Sequence, residues 1–460
     1  MDNKTIAIIV GVVVVIAIVA GAVFVLNNNN GGGDSDNPIG RNVDIDTTKD
    51  TNRMLIFGNA NNDNYLDQKD ITLIKEIAAS GKWDEKKYPL ADTNNDRKVT
   101  EDDATYLQKI LDGKSCTMYY VDWNKQVNKV PYPLTGKVAV PYDSSLWIGQ
   151  IVGFYDDITY MSRTENFVKN LREDMFPGAA KRIEAQGGTK NYEYDIERLV
   201  SADISITLGD TNAMTDNYLD KVKNYKGITP VLLPENREHS GLNWSNSVIM
   251  LGAMMNKQAN TKEYITYLET VSAEIEKAVE KASTGQQKKS YLLVYCDPEE
   301  QDWYVDIRGL GSEQYGDVVN CEKLPLYSSM EPQGDGYIKT SVENIMAMDP
   351  DVIIFSCWGP FMQNYTLDQY KALIHERLDY LKETRAYAEE QCYSISYEIY
   401  GTLPGIAGLV YLGAQIWPDL FDEDQGYKYV KQYLNKFTAM TTADPEDLVG
   451  LLPLVQSEIE

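Results

Sequence analysis

The chain has 460 residues, more than a single domain normally holds, with the 43% hydrophobic and 24% charged content of ordinary globular protein. Its 43 basic and 69 acidic side chains give a formal net charge of −26, which argues against nucleic acid as a partner because such binding depends on basic patches. Two histidines, His239 and His375, are too few for a histidine-rich zinc or iron centre. The acidic surface suits an extracellular protein and supplies carboxylates for hard cations.

The first predicted element is a membrane anchor. From Thr5 to Leu26 the sequence carries no charge, and at 1.5 Å per residue this length crosses a bilayer core of about 30 Å. A cleaved signal peptide is the alternative, but the apolar run ends in Asn and Gly without an A-x-A-like site. No cysteine follows the run, which excludes a bacterial-style lipoprotein anchor.

The orientation of the anchor follows from the charges beside it. Lys4 is the only basic residue before the helix, and none follows until Arg41, which favours an inside N-terminus and an outside body. Residues 1–26 are therefore predicted to anchor the chain in the cell membrane, with residues 27–52 as a flexible linker. The body faces the extracellular side, and the non-lipidated helix with its Gly/Asn tether suggests an archaeal cell surface.

Two short segments about 33 residues apart share one pattern of oxygen-bearing side chains, and each precedes an amphipathic stretch. Calcium takes six to eight oxygens, and side chains at loop positions 1, 3, 5, 9 and 12 with a backbone carbonyl from position 7 wrap a loop around one ion. The candidate ligands are Asn59, Asn61, Asp63, Tyr65, Asp67 and Asp70 in the first loop, and Asp92, Asn94, Asp96, Lys98, Thr100 and Asp103 in the second.

This duplicated loop–helix unit, residues 53–116, resembles the dockerin family. The resemblance implies a small α-helical module with two calcium ions and docking to a cohesin-like protein. Two features depart from the family pattern: the glycine of position 6 is replaced by Asn64 and Arg97, and position 1 of the first loop is the neutral Asn59. The second loop is accordingly the better calcium site of the two. Acidic turns without metal are the alternative.

Beyond about Val130 short apolar runs alternate with helical stretches, which predicts an α/β domain with largely parallel sheets. The predicted strands are Lys137–Pro141, Ile204–Gly209, Thr229–Pro234, Ser290–Cys296 and Asp351–Cys357. Two segments, DIERLVSADISITLG from Asp195 and SVENIMAMDPDVIIFS from Ser341, share a helix–turn–strand pattern and indicate two similar lobes. A stretch without glycine or proline, from Asn260 to Ala282, predicts a stiff connecting helix of about 30 Å.

The strand-turn from Lys137 to Ser162, the paired helix–strand units, the connecting helix and the segment Gly413–Phe421 together resemble the periplasmic binding proteins for iron–siderophores, haem and cobalamin. The resemblance implies two Rossmann-like lobes bridged by a long helix, a ligand in the cleft between them, and delivery to an ABC permease and its ATPase. The domains are expected at residues 130–245 for lobe one, 246–285 for the connecting helix region and 286–460 for lobe two.

Ligands of open α/β sheets lie beyond the carboxyl ends of the strands, which selects the loops that follow the predicted strands. Aromatic rings suit a flat macrocycle or a catecholate, and an arginine can pair with an anionic chelate. The candidate ligand-binding residues are Tyr142, Asp143, Ser144, Ser145, Trp147, Asp210 to Asn212 and Glu235 to His239 in lobe one, and Trp303, Tyr304, Arg308, Trp358, Tyr397 and Tyr400 in lobe two.

The sequence shows no Ser–His–Asp set, no G-x-S-x-G, no P-loop and no G-x-G-x-x-G, and its two histidines leave few general bases. We therefore expect no enzyme. The cargo stays open among iron–siderophore, haem and cobalamin, and an oxyanion is not excluded. The alternative function is an adhesion or scaffold protein that acts through the dockerin-like module. The five scattered cysteines favour buried thiols over a disulfide framework, with one bridge left open.

Overall fold

The computed structural model divides into two units, Met1–Arg41 and Asn42–Glu460, and all elements described below belong to the second. It describes residues 39–45, 54–122, 124–187, 193–209, 214–223, 225, 227–233, 241–283, 288–296, 302–306, 321–323, 337–357, 365–396 and 405–460. The predicted membrane anchor lies outside these residues. Among the helices that are described, none is both long and apolar enough to cross a membrane.

Two short helices, α1 (Gln68–Ser80) and α2 (Glu101–Leu111), follow the two acidic loops. Each helix begins at a capping box, in which Asp67 pairs with Asp70 and Thr100 pairs with Asp103. These side chains satisfy backbone N–H groups that the first helical turn leaves free. The two helices pack against each other through the isoleucines, leucine and alanine of their apolar stripes. The loops therefore act as helix starts as well as oxygen-rich turns.

An antiparallel hairpin that the sequence did not predict, β1 (Cys116–Val121) and β2 (Val127–Tyr132), follows the two helices. It bonds to the strand-like segment before the first loop, since Val121 N–H donates to the Leu55 carbonyl. On the other side the buried Tyr120 hydroxyl accepts from the backbone N–H of Leu232. The hairpin thus joins the helical module to lobe one.

Lobe one contains a parallel sheet of order β5-β4-β3-β6-β7 in the described part of the chain. Tyr160, Leu199 and Tyr218 lie in its hydrophobic core. Its strands are β3 (Val138–Val140), β4 (Ile158–Met161), β5 (Glu184–Ala185), β6 (Ile206–Gly209) and β7 (Thr229–Leu232). Its helices are α3 (Ser144–Val152), α4 (Glu165–Lys169), α5 (Ala179–Arg182), α6 (Ile196–Ser201) and α7 (Asp216–Val222), with a 3-10 turn at Tyr155–Asp157.

Lobe two contains a mixed sheet of order β11-β9-β8-β12-β13-β14, in which β10 also pairs with β8. Its parallel strands are β8 (Lys289–Cys296), β10 (Cys321–Lys323), β12 (Val352–Cys357) and β13 (Cys392–Ser396), and its antiparallel strands are β9 (Trp303–Asp306), β11 (Tyr337–Thr340) and β14 (Leu454–Val455). The predicted parallel α/β architecture is confirmed for these residues. The cysteines whose state is described, Cys116, Cys296, Cys357 and Cys392, are free thiols.

The two repeated segments fold alike. Asp195 caps α6 and Ser341 caps α10 (Val342–Met348), each by accepting a backbone N–H of the first turn. After each helix an aspartate takes the left-handed conformation, Asp203 at φ 57° and Asp349 at φ 41°, and a buried strand follows. Aspartate tolerates this conformation better than most residues. The internal repeat read from the sequence is therefore a repeated local structure.

The connecting helix α9 (Gln258–Ser283) has 26 residues, about 39 Å at 1.5 Å per residue, and follows α8 (Gly241–Met254). In lobe two the remaining helices are α11 (Leu367–Tyr380), α12 (Arg385–Ala388), α13 (Gly405–Ile416), α14 (Glu423–Phe437) and α15 (Gln456–Ile459). An aromatic cluster joins α9 to α14: Tyr267 lies 5.3 Å from Phe437 and 6.2 Å from Tyr433 between ring centroids. The Tyr267 hydroxyl donates to the Tyr429 carbonyl.

The packing of α14 on α13 depends on a close approach at Gly426. A Cβ at this position would lie 2.7 Å from the backbone N and Cα of Tyr411, a distance that carbon atoms do not tolerate. We expect Gly426→Ala to separate the two helices and lower the free energy of unfolding by about 1–3 kcal/mol. Denaturant unfolding of the variant measures this loss. Lys428→Ala, at an exposed position of the same helix, is the control. Equal stability of the two variants would contradict the close approach of the two helices at Gly426.

Candidate functional site

The carboxyl edge of lobe one begins where β3 ends, at Val140. Tyr142 and Asp143 follow the strand and are half-buried, whereas Ser144 and Ser145 open α3 and are buried. Because β3, β4, β6 and β7 run parallel, their carboxyl ends share this edge of the sheet. The structure therefore places four predicted ligand-binding residues at the expected edge.

Trp147, another predicted ligand-binding residue, lies within α3. Its side chain is fully buried and its ring lies 5.6 Å from the ring of Phe176, centroid to centroid, in the core of lobe one. A tryptophan one turn into an apolar helix faces the core because that removes most of its surface from water. A contact between Trp147 and the ligand stays a prediction.

Trp303 opens β9, and its neighbour Tyr304 pairs with Tyr295 close to the carboxyl end of β8. The Trp303 ring packs on the core of lobe two, edge-on to Tyr380 at 6.1 Å and beneath the Arg377 guanidinium at 5.1 Å. These contacts hold the ring against helix α11. The Trp303 side chain is thus half-buried at the sheet, and other protein side chains already contact its ring.

The carboxyl edge of lobe two is aligned by strand register, since Cys296 pairs with Cys357 and Cys357 pairs with Ser396. The side chains of Cys296, Cys357 and Ser396 are small and buried at this end of the sheet. The loops that follow carry predicted ligand-binding residues. In both lobes several predicted residues lie outside the described part of the chain: Asp210 to Asn212, Glu235 to His239, Arg308, Trp358, Tyr397 and Tyr400.

The two acidic loops repeat one hydrogen-bond pattern. The position-12 carboxylates accept equivalent backbone N–H groups: Asp70 accepts from Asn61 at 3.2 Å, and Asp103 accepts from Asn94 at 3.2 Å. The position-3 amide oxygens accept from position 5, at 2.9 Å in both loops. The sequence repeat is therefore a repeat of loop geometry, and it distinguishes these loops from unrelated acidic turns.

The loops differ at position 1. In the second loop the Asp92 carboxylate accepts the backbone N–H groups of Asp96 at 3.0 Å and Arg97 at 2.8 Å. Arg97 stands at φ 72°, the left-handed conformation that the glycine of position 6 would adopt. In the first loop the buried Asn59 donates from its amide nitrogen to the carbonyl oxygens of Met54 and Asp63, each at 2.8 Å. Its Oδ1 atom is buried without a hydrogen-bond partner.

Burial is the largest influence on the carboxylates of both loops. Desolvation raises the pKa of Asp70 to about 7, and desolvation together with the neighbouring Asp103 raises the pKa of Asp92 to about 7. Desolvation also raises the pKa of Asp103. No three Asp, Glu, His or Cys side chains in the described ranges converge as ligands of one metal ion. A cation here would need amide, hydroxyl and carbonyl oxygens as well, which is the donor mixture that calcium takes.

The first loop packs on the connecting helix. The Asn64 amide donates to the Glu269 carboxylate at 3.1 Å, and Gln258 exchanges two hydrogen bonds of 2.9 Å with the backbone of Leu66. The Tyr132 hydroxyl bonds to the end of α2, at the Ile110 carbonyl, and to Asn256 ahead of α9. The helical module is thus held to the body at several points along one side.

Residues 174–397 match the family model described as periplasmic binding protein. Solved structures that are similar to the chain include the following. A nickel–histidine complex of CeuE from Helicobacter pylori has a TM-score of 0.52 and 12% identity and covers 73% of this chain and 99% of its own. The α/β body has the periplasmic binding protein fold.

Two structures from Veillonella parvula share this fold. A periplasmic solute binding protein has a TM-score of 0.54 and 16% identity and covers 75% of this chain and 96% of its own. The TroA-like periplasmic binding protein FepB has a TM-score of 0.52 and 14% identity and covers 69% of this chain and 95% of its own. Among curated proteins none matches the chain.

The buried carboxylates predict a pH dependence. In the folded state Asp92 holds its proton up to about pH 7, whereas the unfolded chain releases it near pH 3.8. Without a cation its contribution to stability is therefore present below pH 3.8 and is lost as the pH rises to about 7. In EGTA, the melting temperature of Asp92→Asn relative to the parent should rise between pH 5 and pH 7.5. Asp102→Asn, at an exposed position, is the control. A melting-temperature difference between Asp92→Asn and the parent that does not change with pH would contradict the raised pKa of Asp92.

Proposed function

We propose that this protein is a membrane-anchored, extracytoplasmic substrate-binding protein of an ABC importer. It captures a metal chelate, of the iron–siderophore, haem or cobalamin type, between its two lobes and delivers it to a permease driven by an ATPase. The observation that carries the proposal is the fold: two sheets with parallel strands, joined through one long helix, in an arrangement shared with periplasmic binding proteins. The Helicobacter pylori relative was solved as a nickel–histidine complex, which supports a metal-bearing cargo.

Binding in this proposal uses the loops beyond the strand ends in both lobes. Tyr142, Ser144 and Ser145 stand at that edge in lobe one. Arg308, Trp358, Tyr397 and Tyr400 remain predictions for lobe two, where the arginine pairs with anionic groups of the chelate and the rings cover its flat faces. The protein binds and carries; we propose no reaction for it.

Calorimetry against a panel of ferric siderophores, haem and cobalamin tests this function on the full chain. We expect at least one panel member to bind, and Arg308→Ala or Trp358→Ala to weaken that binding about 10-fold or more, because each removes a contact made to the ligand. Arg385→Ala is the matched control, since Arg385 pairs with Asp351 just ahead of β12, at the amino end of the sheet. A panel without any binding would overturn the proposal.

We also propose calcium in the two acidic loops, with the second loop the tighter site. Asp92, Asn94, Asp96, Thr100, Asp103 and the Lys98 carbonyl would hold the ion there. The supporting observations are the repeated loop geometry and the two buried carboxylates whose pKa is raised to about 7. Bound calcium supplies positive charge that offsets the burial of these groups. In the first loop the neutral Asn59 stands where the second loop has Asp92, so it supplies less negative charge to a calcium ion.

Exchanging the position-1 residues tests the calcium proposal. Asp92→Asn should lower the calcium affinity of the second loop, and Asn59→Asp should raise that of the first, because each changes one ligand charge at matched positions. Calcium titration by calorimetry and thermal unfolding with calcium or EGTA measure both effects. Equal melting curves in calcium and in EGTA for the unaltered chain would contradict calcium binding.

A scaffold function through the helical module is the second candidate. The hydrogen bonds from Asn64 and Leu66 to the connecting helix favour a module that is part of the body over a free docking head. Docking to a cohesin-like protein therefore stays a prediction, for which a cohesin pull-down is the direct test.

A further inference from the structure

The two acidic loops follow the same backbone course up to position 4 and differ at position 6. At position 4, Asn62 stands at φ 57° and Asn95 at φ 58°. At position 6 of the second loop Arg97 takes φ 72°, the left-handed conformation of the sharp turn in a calcium loop. The φ of Asn64, at the same position of the first loop, is not positive. Asparagine tolerates the left-handed region better than arginine does, so the difference has a cause other than residue type.

The connecting helix α9 holds the first loop at this point. Asn64 is buried, and its amide nitrogen donates to the Glu269 carboxylate at 3.1 Å. Two residues later, the backbone of Leu66 exchanges two hydrogen bonds of 2.9 Å with the Gln258 side chain. Asn64 and Leu66 stand on either side of Tyr65, whose backbone carbonyl is the predicted calcium ligand of position 7. Contact with α9 therefore fixes the two residues that set the direction of this carbonyl.

Hydrogen bonds to position 1 show that the second loop is closed and the first is not. In the second loop the position-6 N–H, that of Arg97, donates to the position-1 carboxylate of Asp92 at 2.8 Å. In the first loop the position-1 residue Asn59 is fully buried, and its Oδ1 atom has no hydrogen-bond partner. The Asn64 N–H thus does not reach it. An oxygen that calcium would use is left without a partner in the loop that α9 holds.

Closing the first loop would cost its contact with the helix. Calcium gathers oxygens from positions 1 to 12 around one ion, with a sharp turn at position 6. A change of Asn64 to the left-handed conformation reorients its side chain, whereas Glu269 stays on the 26-residue helix α9. The hydrogen bond between Asn64 and Glu269 is therefore lost when the loop closes.

We propose that calcium binding to the first loop and docking of that loop on α9 oppose each other. Docking holds Asn64 out of the closed conformation and lowers the calcium affinity of the loop. By linkage, calcium in the loop weakens the contact with the helix by the same factor. This inference rests on the proposed calcium binding and adds a regulation to it, because α9 is the helix that joins the two lobes.

Calorimetric titration of the full chain with calcium tests the coupling. The second loop is disabled by Asp92→Asn and Asp96→Asn, so that the heat of binding comes from the first loop. We expect Glu269→Ala in this background to raise the calcium affinity about 5-fold or more, because it removes the acceptor that holds Asn64. Glu269 is exposed, so the substitution leaves the core unchanged. Glu276→Ala removes the same charge from an exposed position of the same helix and should leave the affinity unchanged.

Two further variants separate the hydrogen bond from the charge of the carboxylate. Glu269→Gln keeps a side-chain oxygen that accepts from Asn64, so its calcium affinity should stay close to that of the background. Asn64→Gly removes the amide and adopts the left-handed conformation freely, so it should raise the affinity at least as much as Glu269→Ala. A lower affinity in both Glu269→Gln and Glu269→Ala would show that the carboxylate assists the ion by its charge, and would overturn the inference.

Thermal unfolding in the same background gives a second measurement. In EGTA, Glu269→Ala should melt lower than Glu276→Ala, because it lacks the bond between the loop and the helix. Addition of calcium should raise the melting temperature of Glu269→Ala more than that of Glu276→Ala. An equal rise in the two variants would contradict the coupling.

The outcomes separate this inference from the calcium proposal beneath it. Calcium binding at the second loop alone, with none at the first loop in Glu269→Ala or Asn64→Gly, overturns the coupling and leaves the second site intact. Calcium binding at the first loop with the same affinity in Glu269→Ala and Glu276→Ala also overturns the coupling alone. No calcium binding at either loop, in the unaltered chain or in Glu269→Ala, overturns both proposals.

Discussion

The connecting helix α9 holds the parts of this protein together because different residues along it bond to different parts. Its amino-terminal end fixes lobe one through Asn260, and Gln258 and Glu269 fix the first acidic loop. Its buried Tyr267 fixes lobe two through α14. A 26-residue helix anchored in this way resists bending, since any bend would break packed aromatic contacts. The positions of both strand edges therefore depend on one helix.

Packing between helix α9 and lobe two accounts for part of the tyrosine content of this protein. Tyr267 and Tyr433 are buried with Phe437, and desolvation holds the pKa of both hydroxyls well above its ordinary value. Tyrosine in such a cluster supplies a rigid apolar ring, and one hydroxyl, that of Tyr267, ties α9 to the backbone of α14. The chain has 32 tyrosines against nine phenylalanines. The structure shows that part of this excess serves the interface between a helix and a lobe.

Buried apolar runs were sufficient to predict five strands of the two sheets, because each of these is a short apolar segment bounded by turn residues. They are β3, β6, β7, β8 and β12. The helix–turn–strand repeat around Asp203 and Asp349 was also predicted, because each copy ends in an apolar run that follows turn residues. The hairpin Cys116–Tyr132 was missed although its two strands pair locally, because alternation over six residues is a weak signal. The burial of Trp147 was not predicted, because sequence position relative to a strand end does not reveal which side of the following helix faces the core. Ser145 was selected by that position alone, and only the structure shows that its hydroxyl lacks a partner.

The second acidic loop buries two carboxylates near each other. Desolvation raises the pKa of both Asp92 and Asp103, and a bound cation would offset that desolvation. In the absence of a cation this burial costs folding free energy, and a ligand that binds only the folded state returns stability by mass action. If calcium binds as proposed, the stability of the helical module therefore depends on the occupancy of this loop.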